Sequence, residues 1–250
     1  MEFYENKDTQ GERAIECVRR FGHTSDHNFD WFADSIITPD GKPVFVQWPD
    51  GTGLLAHRYP DKWRIWSDPL CPEMEMTGKI SEFANKVFGD EDIKRVWCDD
   101  VSDSIYPTLQ NKGMNPEPIY YSLLWPVLNL LTFDPALAGR HFKEMRNAKN
   151  KFYKEHKLEV VDAKDFSKDK LHRVIENWKE YLSQEKKDVY DLRYHNTIDS
   201  GFRGFKSARV LVVDGTPVGI NAGYDVPNKS GRFAGAIGVH DYSVKDIGTI

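Results

Sequence analysis

Gly139 to Lys157, GRHFKEMRNAKNKFYKEHK, sets seven cations (Arg140, Lys143, Arg146, Lys149, Lys151, Lys154 and Lys157) against two glutamates, inside a chain whose formal net charge is -5. At helical periodicity the stretch is two-sided. Phe142, Met145, Phe152 and His156 fall on one stripe, and Lys143, Asn147, Asn150 and Lys154 fall on another. One face can pack while the other meets an anion, or is simply a solvated charged surface. Arg140, Lys143, Arg146 and Lys154 are the candidate contacts to a phosphate-bearing donor. Asn147 and Asn150 are weak helix formers, so their presence predicts specific side-chain hydrogen bonds.

Upstream, residues 12–21 (ERAIECVRRF) have the apolar spacing of a short helix ended by Gly22. Three short segments, 42–48, 52–58 and 62–67, follow Pro-Asp-Gly or Pro-Asp turns and predict an antiparallel meander. Helices are expected at 77–88 and 101–112, the latter capped by Ser102 or Asp100, with strands at 94–98 and 117–125. The run from Pro118 to Phe133 is interrupted by Pro126, is too short to span a bilayer, and is expected to be a buried strand leading into a linker.

Downstream the order starts again. A strand at 158–162 precedes a helix at 168–183, a polar loop holding Tyr190, Tyr194 and His195, a hairpin at 207–225 turned by Asp214-Gly215, and a third strand at 232–240. Repetition of element order without repetition of residues predicts an α+β chain of two similar units, 1–128 and 129–250, with the basic helix opening the second.

The residues Leu137 to Phe152, LAGRHFKEMRNAKNKF, with Gly238-Val239-His240-Asp241-Tyr242-Ser243 further on, resemble the cytosolic domain of phosphatidylglycerol lysyltransferases. That family has a tandem GNAT-type acetyltransferase fold and is akin to the Fem-type aminoacyltransferases. The resemblance is concentrated in residues 137–245. It implies two tandem GNAT-like domains and transfer of an aminoacyl group from tRNA, or of an acyl group from CoA, to an amine or hydroxyl acceptor that it does not identify. Either donor would be a substrate and no permanently bound cofactor is implied. The pyrophosphate loop of such folds has the form Arg/Gln-x-x-Gly-x-Gly/Ala. Here the matching place reads Lys245-Asp246-Ile247-Gly248-Thr249-Ile250, so Lys245 and Gly248 are the candidate donor contacts, and the second unit is expected to be truncated.

Acyl transfer needs a base for the acceptor and donors for an oxyanion. His240 and Asp241 are the candidate base and orienting or amine-binding carboxylate, and Tyr242 and Ser243 the candidate acid and hydrogen-bond donor. Neighbours on a strand point to opposite faces, so His240 and Asp241 are not expected to form a direct dyad, and His240 can equally be structural. Tyr194 and His195 can close over an acceptor or can be ordinary loop residues. The other class of function compatible with these residues is a non-catalytic module that binds nucleic acid or a protein. Gly-x-Ser-x-Gly, Walker and dinucleotide-binding signatures are absent from the sequence. Cys17, Cys71 and Cys98 have neither disulfide-framework nor zinc spacing, so a metal site is not suggested and a reducing, cytoplasmic location is expected.

Overall fold

The computed structural model describes residues 1–5, 7–90, 92–111, 127–185, 189–245 and 247. Two sheets with flanking helices follow partly the same order of elements. The first runs β1 (Glu2–Tyr4), α1 (Lys7–Phe21), α2 (Phe29–Asp34), β2 (Lys42–Gln47), β3 (Gly53–Arg58), β4 (Lys62–Ile65), α3 (Met76–Val87), β5 (Arg95–Cys98) and α4 (Tyr106–Asn111). After α5 (Lys143–Glu155), the second runs β6 (Leu158–Asp162), α6 (Lys168–Gln184), α7 (Leu192–Asp199), β7 (Ser207–Val213), β8 (Thr216–Asp225) and β9 (Phe233–His240). Strand, helix, helix and three-strand meander thus occur twice. The basic helix α5 precedes β6, in the order expected from the sequence, and has no counterpart before β1 among the described residues.

The sheets are β1-β2-β3-β4-β5 and β6-β7-β8-β9. All pairs are antiparallel except β4 with β5. Turn chemistry sets the hairpins. Asp214 and Gly215 both have positive φ (50° and 83°), the two-residue turn whose twist matches the strands it joins, and Val213 pairs with Thr216 across it.

Several expectations are corrected by tertiary contacts. Tyr194 and His195 lie on helix α7, not in a loop. The helix expected from residue 101 starts only at Tyr106, because the Ser102 amide and hydroxyl both donate to the Asp68 carboxylate instead of capping a helix. Residues 127–133 are exposed, against the expectation of a buried run. The strand expected at 117–125 lies outside the described residues.

The feature that joins the halves is α2, which the periodicity did not reveal. Asn28 caps it, accepting from the Trp31 amide at 3.0 Å, while its side-chain amide donates to the Gly204 carbonyl at 3.0 Å. Trp31 packs on Tyr194 and edge-on to Phe205, with ring centroids 6.3 and 5.8 Å apart. Asn196 donates to the Asp34 carbonyl and Ser200 to its carboxylate, at 3.0 and 2.8 Å. On the other side Phe32 stacks on His57 at 4.7 Å, and the His57 ring donates back to the Phe32 carbonyl. One apolar cluster therefore runs from Phe32, Phe45 and Leu55 through Trp31 to Ile175, Ile198, Ile220 and Val239.

Candidate functional site

The end of β9 is ordered by α6. The Asp241 amide extends the ladder to the Val218 carbonyl at 2.7 Å. Its carboxylate accepts from the Asn177 side chain at 2.8 Å and from the Ser243 amide at 2.9 Å. Burial works against the charged form, but the Ser243 hydroxyl and amide and the Asn177 amide outweigh it and hold Asp241 below the usual carboxylate range. His240 is shifted downward as well, here by burial. Burial lowers its pKa, and the Asp241 charge opposes this only in part, so the ring is a neutral base at pH 7. Among the described residues the His240 ring makes no hydrogen bond to Asp241. Tyr242 packs against His240 at 4.4 Å and stacks on Tyr181 at 4.5 Å. His240, Asp241, Tyr242 and Ser243 are thus together, with Asn177 and Tyr181 of α6 behind them. Lys245 is exposed, and Gly248 lies outside the described residues.

A second constellation, of which only His195 was a candidate from the sequence, lies on the adjacent face of α6. His172 and His195 approach Nδ1 to Nδ1 at 2.7 Å, with rings stacked at 4.9 Å. The outer nitrogen of His172 faces Asp199 at 3.0 Å and that of His195 faces Asp191 at 3.4 Å. Lys179 pairs with Asp191 at 2.8 Å. An open cleft of about 750 Å³ lies here, lined by Glu176, Lys179, Glu180, Asp191 and His195 among others. Tyr194 points away from it into packing with Trp31 and Trp178. His195 therefore reaches a cleft and Tyr194 does not.

Among the described residues, α5 meets the β7–β8 hairpin through one buried side chain. Phe152 is buried with Val213, Val218 and Ile247, and Val218 is the residue whose carbonyl holds Asp241. His156 reaches Asp214 at 2.7 Å. Phe142 and Met145 stay exposed, so only the C-terminal half of the predicted stripe packs. The cations divide into three kinds, of which Lys151 and Lys157 pair with Glu155 and Glu159. Arg146 donates to the Leu137 and Gly139 carbonyls and Lys149 to the Pro135 carbonyl, so both are engaged in holding the preceding loop. Arg140, Lys143 and Lys154 are exposed and, among the described residues, have no acidic partner. Asn147 and Asn150 are exposed as well and, among the described residues, make none of the hydrogen bonds expected of them.

Away from these groups, the turn before α2 holds carboxylates and imidazoles at the junction of the halves. Burial, with Asp100 adding to it, pushes Asp26 up to about 7. His27 is buried and neutral, donating to the Asp68 carbonyl at 2.8 Å and accepting from the amides of His23 and Thr24. Among the described residues no group of three or more His, Cys, Asp or Glu side chains could hold a metal ion, and no helix is long and apolar enough to cross a membrane.

Two sheets whose elements follow partly the same order, fused through a shared core, define an α+β fold that solved structures share. The chain is similar to the C-terminal DUF2156 domain assigned to a lysylphosphatidylglycerol synthetase of Agrobacterium fabrum (TM-score 0.61, 14% identity, 98% of this chain and 72% of that one). It is also similar to L-PGS from Bacillus licheniformis (0.59, 16%, 95% and 68%) and to a conserved protein of unknown function from Bacteroides thetaiotaomicron VPI-5482 (0.59, 12%, 100% and 83%). The expected α+β class is observed, and lysylphosphatidylglycerol synthetase domains are among the structures that resemble the chain. No family model matches the chain, and no curated protein sequence matches it.

Proposed function

We propose that the protein is a transferase that moves an aminoacyl group from tRNA to an amine or hydroxyl acceptor, at the end of β9. The observation that carries this reading is the seating of α5. Phe152 fixes a helix bearing Lys143 and Lys154, which have no acidic partner among the described residues, against the hairpin whose Val218 carbonyl holds Asp241. A polyanion and an acid–base group would meet there. The fold shared with lysylphosphatidylglycerol synthetase domains supports the reaction class. Neutral His240 takes the proton of the acceptor as its nitrogen or oxygen attacks the ester carbonyl carbon. Asp241, kept ionised, binds the ammonium group of the aminoacyl moiety. As the tetrahedral intermediate collapses, the ester C–O bond breaks and the leaving ribose oxygen receives a proton from Tyr242 or from the His240 imidazolium. A CoA thioester would need fewer cations than α5 displays, which favours tRNA.

The test is binding of bulk charged tRNA and of acetyl-CoA at two salt concentrations, followed by release of labelled amino acid to candidate acceptors. Expected are a steep salt slope for tRNA and, in Lys143→Glu/Lys154→Glu, affinity lower by about tenfold or more. Asp241→Asn should retain tRNA binding and lose transfer. Binding of CoA alone would redirect the donor assignment, and binding of neither would leave the interaction-module reading in its place.

A further inference from the structure

Independently of the transfer reaction, we propose that His172 and His195 form a proton-dependent clasp that fastens α7 to α6. Their Nδ1 atoms are 2.7 Å apart and their ring centroids 4.9 Å apart. The centroid separation is close to the nitrogen gap plus one ring radius on each side, so the two nitrogens point at one another in line. Two bare lone pairs repel at this distance, and a contact this short needs a hydrogen between the nitrogens. The inner nitrogens therefore require one proton.

The outer nitrogens require two more. An ionised carboxylate only accepts, so Nε2 of His172, 3.0 Å from Asp199, carries a hydrogen. Nε2 of His195 lies 3.4 Å from an Asp191 oxygen that also takes the Lys179 ammonium at 2.8 Å. Satisfying all three contacts needs three protons on two rings, one more than two neutral imidazoles hold. With the extra proton in place, Asp199, His172, His195, Asp191 and Lys179 form a continuous chain whose two negative charges match its two positive ones. Without it, Nε2 of His195 is the least costly nitrogen to strip, because Lys179 still pairs with Asp191. The tie between His195 and Asp191 is then lost.

Position gives the clasp its consequence. Asp191 immediately precedes α7 and Asp199 ends it, so the chain ties both ends of that helix to α6. In turn α7 carries Tyr194 and Asn196, which hold Trp31 and Asp34 of α2. Among the described residues, the other charged groups around the pair have work of their own or face the cleft. Glu176 pairs with Arg173, Glu180 lines the cleft, and Lys168 donates to the Asp199 carbonyl at 2.6 Å. Arg193 lies over the Trp31 and Tyr194 rings. Asp34 of α2 and Asp241 at the end of β9 accept from Ser200 and Asn177. Histidine changes charge between about pH 5 and pH 8, so the clasp is closed at the acid end of that range and loosened at the alkaline end.

Nitrogen NMR of the full chain with isotope-labelled histidine tests the proposal, because it reports which ring nitrogens carry hydrogen. At about pH 6 three of the four nitrogens of the pair should be protonated, and at about pH 8.5 Nε2 of His195 alone should have lost its hydrogen. Two or four protonated nitrogens at the lower pH overturn the proposal. Amide hydrogen exchange across residues 192–199 reads the consequence. Corrected for the intrinsic rate, protection should fall about two- to fivefold between these pH values in the wild type and stay level in His195→Gln. Asp199→Asn keeps the shape of an exposed side chain and should level the response too, so the test survives if His195→Gln does not fold. Asp26 titrates in wild type and variants alike, so the comparison isolates the pair. Protection that is equal at both pH values in the wild type, or that falls equally in wild type and variants, removes the clasp.

Discussion

Helices α2 and α5 divide the labour of the molecule unequally. The six residues of α2 bury Phe29, Trp31, Phe32, Ala33 and Asp34, whereas the thirteen of α5 bury Phe152 alone. The short helix joins two sheets through aromatic packing and carbonyl hydrogen bonds. The long one touches the fold at its C-terminal half and displays charge elsewhere. Burial and charge count are thus separate signals, the first reporting what holds the chain together and the second what it can meet.

Variants can break this contrast. Phe32→Ala removes a ring with no exposed surface that stacks on His57, and should cost about 3–5 kcal/mol in denaturant unfolding. An effect as small as that of a surface residue would show that α2 does not carry the junction. Asp26, at the approach to α2, should reveal itself through pH. Its folded pKa of about 7 lies above the unfolded value near 3.9, so the folded state binds the extra proton and stability falls as pH rises from about 4 to about 7. Asp26→Asn should flatten that decline, by at most about 4 kcal/mol at pH 8 and by little at pH 4. Unfolding midpoints of the two proteins that run parallel across this window would remove the buried proton from the account. Asn28→Ala deletes the cap of α2 and its bond to Gly204, for about 1 kcal/mol or somewhat more. Lys143→Glu/Lys154→Glu belongs at the other end of the scale, since both cations are exposed, and should move stability by no more than about 0.5 kcal/mol while weakening tRNA binding. A large loss of stability there would mean that the charged face packs.

The meander strands, the Asp214-Gly215 turn and the strand at 158–162 were legible because turn residues and alternating apolar positions are local signals. FDWFAD at 29–34 was not, because a six-residue helix buried on most of its surface shows no periodic polar face. LRYHNTID at 192–199 buries only Thr197 and Ile198, and its helix is held by tertiary contacts to α2 and α6 that propensity does not report. The candidate chemistry at 240–243 could be read from residue types, but its supports could not. Asn177 reaches Asp241 from 64 residues away, and His172 finds His195 across 23. Nothing local marks either pairing.

The bridge through α2 also governs the order in which the chain can mature. Asp34 waits 162 residues for Asn196, and Ser25 waits 199 for the hydroxyl of Tyr224. At ribosomal speeds of about 5–20 residues per second, Phe29 and Trp31 stay without their partners for roughly 8 to 30 seconds or longer. During that interval the nascent first sheet presents an aromatic surface that later becomes the centre of the molecule. A chaperone that shields such surfaces would act on this chain before the second sheet exists, and the finished fold should then melt in one cooperative transition, not two.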